Sequence, residues 1–445
     1  MAAEEISIPW NEYAAVGRES LGITRYGRVS QVVGMLIEGA GPMVSIGEMC
    51  EVAPEGEEPV KAEVVGFRND AVLLMPLGTV KGIRPGSLII SRGRTERVAV
   101  GEGLLGRIIG PMGDPLDDQP APRLHEEVAL HAEPINPMLR RRIDTPLDLG
   151  VRSVNATLTV GKGQRVGIFS GSGVGKSTLL GMMSRYTTAD VNVIALIGER
   201  GREVVEFLEK ELGPEGVARS VIVVATSDQP PLLRLRAAYL ATAIAEYFRA
   251  QQKDVLFLMD SVTRFAMAQR EVGLARGEPP TSKGYPPSTF MLLPKLLERT
   301  GRDQGVGSIT AIYTVLMEGD DIQDPIVDAV RGILDGHILL SRDLAAENHY
   351  PPIDISGSIS RLMSTIADPE HVRLAGEVRE VLATYARAED MINIGAYVPG
   401  SNPRIDRAIQ LIEPVRILLK QDVGDQSSLA EAFMGLQTIF AAQQS

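Results

Sequence analysis

The sequence predicts three successive parts: a small all-β barrel or sandwich, a central α/β unit on a parallel sheet, and a C-terminal α-helical domain. Three observations carry this. Short β-rich runs punctuated by Gly and Pro fill residues 26–97. Continuous Val/Ile/Leu runs alternate with helical patterns over residues 151–345. After about residue 365 the strand-like runs stop and helical periodicity takes over. The boundaries fall at 1–22 for a lead, 23–98 for the β part, 99–365 for the α/β part with its connector 99–150, and 366–445 for the helical domain.

The lead is acidic and places Trp10, Tyr13 and Val16 at the spacing of one helical face. It is either a partly ordered terminus or a docking peptide. The β part reads as RVSQVVGMLIEG, EMCEV, VKAEVVGF, AVLLMPL and SLIISR. GRIIGPMGDPLDD, rich in Gly and Pro, opens the connector, whose basic run Arg140–Arg142 is a solvated or packed hinge. The α/β strands are QRVGIFS, VNVIALIG, SVIVVAT, DVLFLMD, SITAIYTV and GHILLS. Runs of this kind fit parallel strands covered on both faces. Pro230 and Pro231 lead in a long periodic helix, and two more helical patterns follow residue 370.

Composition excludes several classes. The net charge is −12, so a general affinity for nucleic acid is not expected. The single cysteine, Cys50, permits no internal disulfide, fits a reducing cytoplasm and is expected to be buried. The N-terminus has no apolar core of a secretory signal, and apolar runs such as VNVIALIG fall far short of the ~20 residues a membrane span needs. The histidines show no zinc-ligand spacing.

The chemistry concentrates in FSGSGVGKST, residues 169–178. The phosphate-loop pattern G-x-x-x-x-G-K-[ST] is met except at its first position, which is Ser170. That position ends the strand, before the cradle, and Gly171 follows at once. Gly171, Ser172, Gly173, Val174 and Gly175 form a loop whose backbone N–H groups can turn inward on a polyphosphate. Lys176 is expected to reach the β- and γ-phosphates, Ser177 to put its hydroxyl on Mg2+, and Thr178 to continue the cradle into a helix N-terminus. DVLFLMD ends in Asp260, either a magnesium carboxylate, brought near the metal by a parallel strand expected beside the loop strand, or the cap of the next helix. IGERGREV offers Glu199 at another strand end, where it can orient or deprotonate water or be a surface-turn residue.

These motifs, in this order with GYPPSTFMLLPKLLERTG and DAVRGILDGHILLSRDLAAENHYPPIDISGSISRLM, resemble the hexameric ATPases related to the α and β subunits of rotary ATP synthase. The resemblance runs from about residue 25 to the tail. It implies a β-barrel, a RecA-like P-loop ATPase core and a helical C-terminal domain. Within the group, LMEGDDIQDPIVDAVRGILDGHILLSR and EDMINIGAYVPGSNPRIDRAI are most similar to the flagellar protein-export ATPases, where a small residue at the position of Ser170 is ordinary. By resemblance, Glu199 activates water, Arg200 orients that site, Asp260 is the Walker B carboxylate and Arg264 lies near the γ-phosphate. Tyr350 stacks on adenine, and Arg361 is the arginine that one subunit inserts into its neighbour's site.

One chain holding both Glu199 and Arg361 implies a homo-hexamer whose copies each hydrolyse ATP and complete the next site. The resemblance further implies a stator-like negative regulator, a central stalk protein, export chaperone–substrate complexes, and a cytoplasmic position peripheral to the inner-membrane export gate. A virulence-type secretion ATPase is the alternative with the same chemistry. A rotary ATP synthase subunit fits less well, because there the two roles are split between chains. An RNA-translocating hexamer is disfavoured by the acidic balance, and a non-catalytic nucleotide module by Glu199.

Overall fold

A computed structural model describes residues 24–441 apart from 92, 94, 95 and 322. The expected lead, with Trp10, Tyr13 and Val16, lies outside the described residues. The chain forms two compact units. One holds the residues through Arg97 together with Glu271–Pro279, and the other holds Val98–Arg270 with Pro280–Ser445.

In the first unit, strands β1 (Arg25–Val33), β2 (Leu36–Ala40), β3 (Met49–Ala53), β4 (Val60–Arg68), β5 (Ala71–Pro76) and β6 (Leu88–Ser91) close into a barrel. The order is β1-β2-β5-β4-β3-β6, and β6 pairs back onto β1. That last pairing decides between barrel and sandwich, because closure leaves no free edge. Alternate residues fill the interior: Val29, Ile37, Val52, Val64, Leu74 and Ile89. Cys50 sits among them, and burial, with Glu48 nearby, pushes its thiol up to about 12. It packs as a small apolar residue.

The second unit is built on a sheet whose main path is β14-β13-β8-β12-β11-β9-β10-β7. These are β7 (Ile108–Ile109), β8 (Arg165–Ser170), β9 (Val191–Glu199), β10 (Ser220–Thr226), β11 (Asp254–Asp260), β12 (Ser308–Leu316), β13 (Gly336–Leu340) and β14 (Ile353–Ser360). Strands β7 to β13 run parallel, and β14 pairs antiparallel to β13. Residues of β9, β11 and β12 are almost all buried, as their unbroken apolar runs require. One expectation is corrected. The Asp260 strand does not adjoin the loop strand, because β12 lies between them. The chain leaves β8 for β9 and fills the gap later, an order that runs of like composition do not encode.

Helices α1 (Lys176–Tyr186), α2 (Gly201–Glu206), α3 (Pro231–Ala250) and α4 (Val262–Arg276) follow β8, β9, β10 and β11 in turn. The C-terminal helices are α5 (Pro369–Asn393), α6 (Pro403–Leu419) and α7 (Leu429–Ala441). They share one hydrophobic core with the sheet: Ile168, Leu196 and Leu258 of the strands belong to the same cluster as Val378, Val415 and Leu436. The core fixes the carboxyl ends of the central strands, where parallel α/β sheets bind ligands.

Candidate functional site

Strand β8 ends at Ser170, which is fully buried and accepts a hydrogen bond from the Met317 N–H on its carbonyl (2.9 Å). Ser170 is ordinary extended strand, so the pattern's missing glycine costs no backbone conformation here. The left-handed turn comes later, at Gly175 (φ 101°), which caps α1. No side chain caps α1, so the N–H groups of its first turn remain for an anion. Ser172, Gly173 and Ser177 are exposed and Val174 is buried beneath them. The Thr178 hydroxyl donates to Glu211 Oε1 at 2.9 Å, so it is committed to the protein.

Two strand ends converge on the Lys176 ammonium. It hydrogen-bonds the Asp260 carboxylate and lies 3.7 Å from Glu199 Oε1. Burial alone would lower the lysine's pKa, but Asp260 and Glu199 outweigh it and the net shift is upward. Asp260 is held from the other side by Thr314, whose hydroxyl donates to Oδ1 at 2.7 Å. Thr314 belongs to β12, so the intervening strand braces the carboxylate.

Among the described residues, Glu199 is the most perturbed carboxylate. Burial, then repulsion from Asp260, raises it to about 7. Its Oε1 is buried without a hydrogen-bond partner. A buried acceptor this close to neutrality, with one oxygen unspent, is equipped to take a proton from water. If Glu199 is the base, kcat/KM for ATP falls about tenfold per pH unit below roughly 7, because the carboxyl must be ionised to accept. A flat profile from pH 5.5 to 8 removes it from that role.

Gly198 sets the angle at which Glu199 leaves β9. Its φ is +70°, and a Cβ there would stand 2.9 Å from Arg264 Cβ. The Arg264 Nε is itself buried without a hydrogen-bond partner. Gly198→Ala is expected to cost about 1–3 kcal/mol through the left-handed backbone and the clash, read in thermal melts, and to lower kcat by displacing Glu199.

Arg200 is exposed and pairs with Glu203 (3.3 Å), a neighbouring carboxylate that helps to raise Glu199. Tyr350 is half-exposed beside the loop, since a Cβ on Gly175 would stand 3.8 Å from its ring. Its carbonyl accepts from the N–H of buried Gln421 (2.9 Å), whose side chain bonds Gly150 (2.9 Å) and Arg152 (2.6 Å). Arg361 is not brought to the site. Its N–H bonds Asp335 O (3.1 Å), at the beginnings of the strands, and its side chain is exposed. β13 separates the two ends by four residue steps, roughly 13 Å. Thr314, Glu211, Asp320 and Arg342 escaped the sequence reading. None carried a distinctive signal, since the strand of Thr314 also brings hydroxyls at Ser308, Thr310 and Tyr313.

Comparison with known proteins agrees with this layout. The family model for the ATP synthase alpha/beta family, nucleotide-binding domain, matches residues 150–360. The beta-barrel domain of that family matches residues 29–93, and the type III secretion EscN ATPase C-terminal domain matches 367–438. A flagellum-specific ATP synthase of Bacillus subtilis is 54% identical over 93% of this chain and 95% of its own. A type 3 secretion system ATPase of Xanthomonas euvesicatoria is 51% identical over 95% and 94%. The assembled ATPase EscN of enteropathogenic E. coli, solved in complex with its central stalk EscO, superposes with a TM-score of 0.86 at 47% identity, covering 93% of this chain and 99% of EscN. The chain therefore belongs to the ATP synthase alpha/beta family, within its flagellar and type III secretion ATPases.

Proposed function

We propose that this ATPase works as a homo-hexameric ring that energises flagellar type III protein export or prepares its substrates. Glu199 of each copy activates water, and Arg361 of each copy completes the next copy's site. The observation that carries the reading is the buried Lys176 set between Asp260 and the near-neutral Glu199 at the mouth of the phosphate loop.

The loop from Gly171 to Thr178 binds the polyphosphate, with Lys176 moving from the carboxylates to the β- and γ-phosphates. Tyr350 stacks on adenine. Glu199 accepts a proton from the water as its oxygen bonds to the γ-phosphorus. The bond to the β,γ-bridging oxygen breaks, and ADP leaves with that oxygen. Arg200, through Glu203, holds the Glu199 strand end in place. The donors fit Mg2+: a hydroxyl at Ser177 and a carboxylate at Asp260 that already holds a cation. Bound there, Mg2+ would neutralise charge that develops on the phosphate oxygens.

The EscN–EscO complex supports a central stalk as one partner. A stator-like regulator, chaperone–substrate complexes and the membrane export gate complete the proposed set. Among the described residues no helix is long and apolar enough to cross a membrane, so the proposed cytoplasmic position at the inner membrane is peripheral. The Xanthomonas relative keeps the virulence-type apparatus as the second reading. Genes for flagellar rod and hook beside this one would select the flagellar branch, and needle-complex genes the other.

A further inference from the structure

Outside the catalytic cluster, one polar contact presses on the phosphate loop from the far side. After β12 the chain turns through Met317–Asp321, with Gly319 and Asp320 both at positive φ (65° and 58°). This strap is fixed at its start by the Met317 N–H on the Ser170 carbonyl (2.9 Å). It is fixed further along by Lys283, which bonds Asp321 (2.7 Å) and Asp324 (3.2 Å). Asp320 then meets Arg342, from the segment after β13, with Nε 3.3 Å from Oδ2. The same guanidinium reaches the carbonyl of Ser172 through Nη1 (3.5 Å).

The approach to the loop is close. A Cβ on Gly171 would stand 2.4 Å from Asp320 Oδ1 and 2.6 Å from Arg342 Nη2. A side chain at the second residue of the phosphate loop would have to push the ion pair aside. Glycine at 171 leaves that space to the ion pair, while Ser170 lies inside the strand.

We propose that Asp320 and Arg342 form a clasp that holds the phosphate loop in its binding shape, with Arg342 a positioning residue for ATP. The inference rests on the reading of residues 171–178 as the ATP phosphate site. Both side chains are about half-exposed (48% and 57%), so the pair adds little to global stability. Its effect falls on the loop, where an ordered cradle spares ATP the cost of ordering it. An interaction of that kind is equal in the bound state and the transition state, so its loss raises KM and leaves kcat alone.

The test is steady-state hydrolysis of Mg·ATP by the full chain bearing Asp320→Asn, Arg342→Gln, or both. These are exposed sites, where such changes leave folding intact. Each single variant is expected to raise KM about two- to fivefold with kcat unchanged. The double variant is expected to be no worse than either single, because one contact is lost once. The exchange Asp320→Arg with Arg342→Asp is expected to recover part of the loss. Unchanged KM in the single variants, multiplied effects in the double, or a fall in kcat at constant KM each overturn the clasp; the last would instead mean Arg342 touches the transferring phosphate. If wild type itself neither binds nor hydrolyses Mg·ATP, the site reading fails, and that outcome is separate from all of these.

Discussion

Glu199→Gln is expected to keep ATP binding and lose about 10²- to 10⁴-fold in kcat, the range a positioned general base supplies. The substitution conserves shape and removes only the ionisable oxygen. Lys176 keeps its contact with Asp260, and Asp260 keeps Thr314, so the cradle is undisturbed. Binding should hold or tighten, because one negative charge leaves the neighbourhood of the triphosphate. A fluorescent-nucleotide titration beside single-turnover hydrolysis separates the two effects. Wild-type turnover in the variant would remove Glu199 as the water activator. Lost binding would make it a structural partner of Lys176.

Arg361→Ala is expected to fall comparably far while also retaining ATP. Arginines supplied in trans to GTPases are worth about 10³–10⁵ in kcat, which sets the scale. The fold argues that the residue cannot serve its own site. Strand β14 runs antiparallel to β13 and delivers Arg361 beside Asp335, whose carbonyl its N–H bonds, while the phosphate loop lies at the other end of the sheet. Specific activity of the wild type should therefore rise with protein concentration until rings are complete. Mixing Arg361→Ala with Glu199→Gln makes the argument sharper. In rings assembled at random from equal amounts, about one site in four joins an intact glutamate to an intact arginine across a head-to-tail interface. Activity near a quarter of wild type is the expected readout. None in verified mixed rings would defeat the division of roles.

Much of this was legible because the chemistry needs short, contiguous motifs. A phosphate loop must be glycine-rich between a strand and a helix, and QRVGIFS before STLLGMM supplies both. Glu199 and Asp260 end apolar strands, so their convergence followed from a parallel sheet. Strand order did not follow, since SITAIYTV carries no mark that it lies beside QRVGIFS. Strand β14 was hidden because IDISGSIS is a half-exposed edge with no apolar run. The third C-terminal helix, α7, was hidden because its apolar residues pack on a core that only the fold assembles. The pairs Thr178–Glu211 and Asp320–Arg342 join residues 33 and 22 positions apart through side chains alone. Nothing local in the sequence demands either.

Gln421 gives the tail a mechanical meaning. Its backbone holds Tyr350 and its amide holds Gly150 and Arg152, so the segment just after α6 is tied to the proposed adenine-stacking residue. A helix of 17 residues is a rod roughly 25 Å long. In the proposed reading, in which adenine lies against Tyr350, a push on that rod near Pro403 would be felt at the pocket through Gln421. The same linkage would run backwards, from the pocket to the tail. Load on the tail and occupancy of the pocket would then be coupled through one residue.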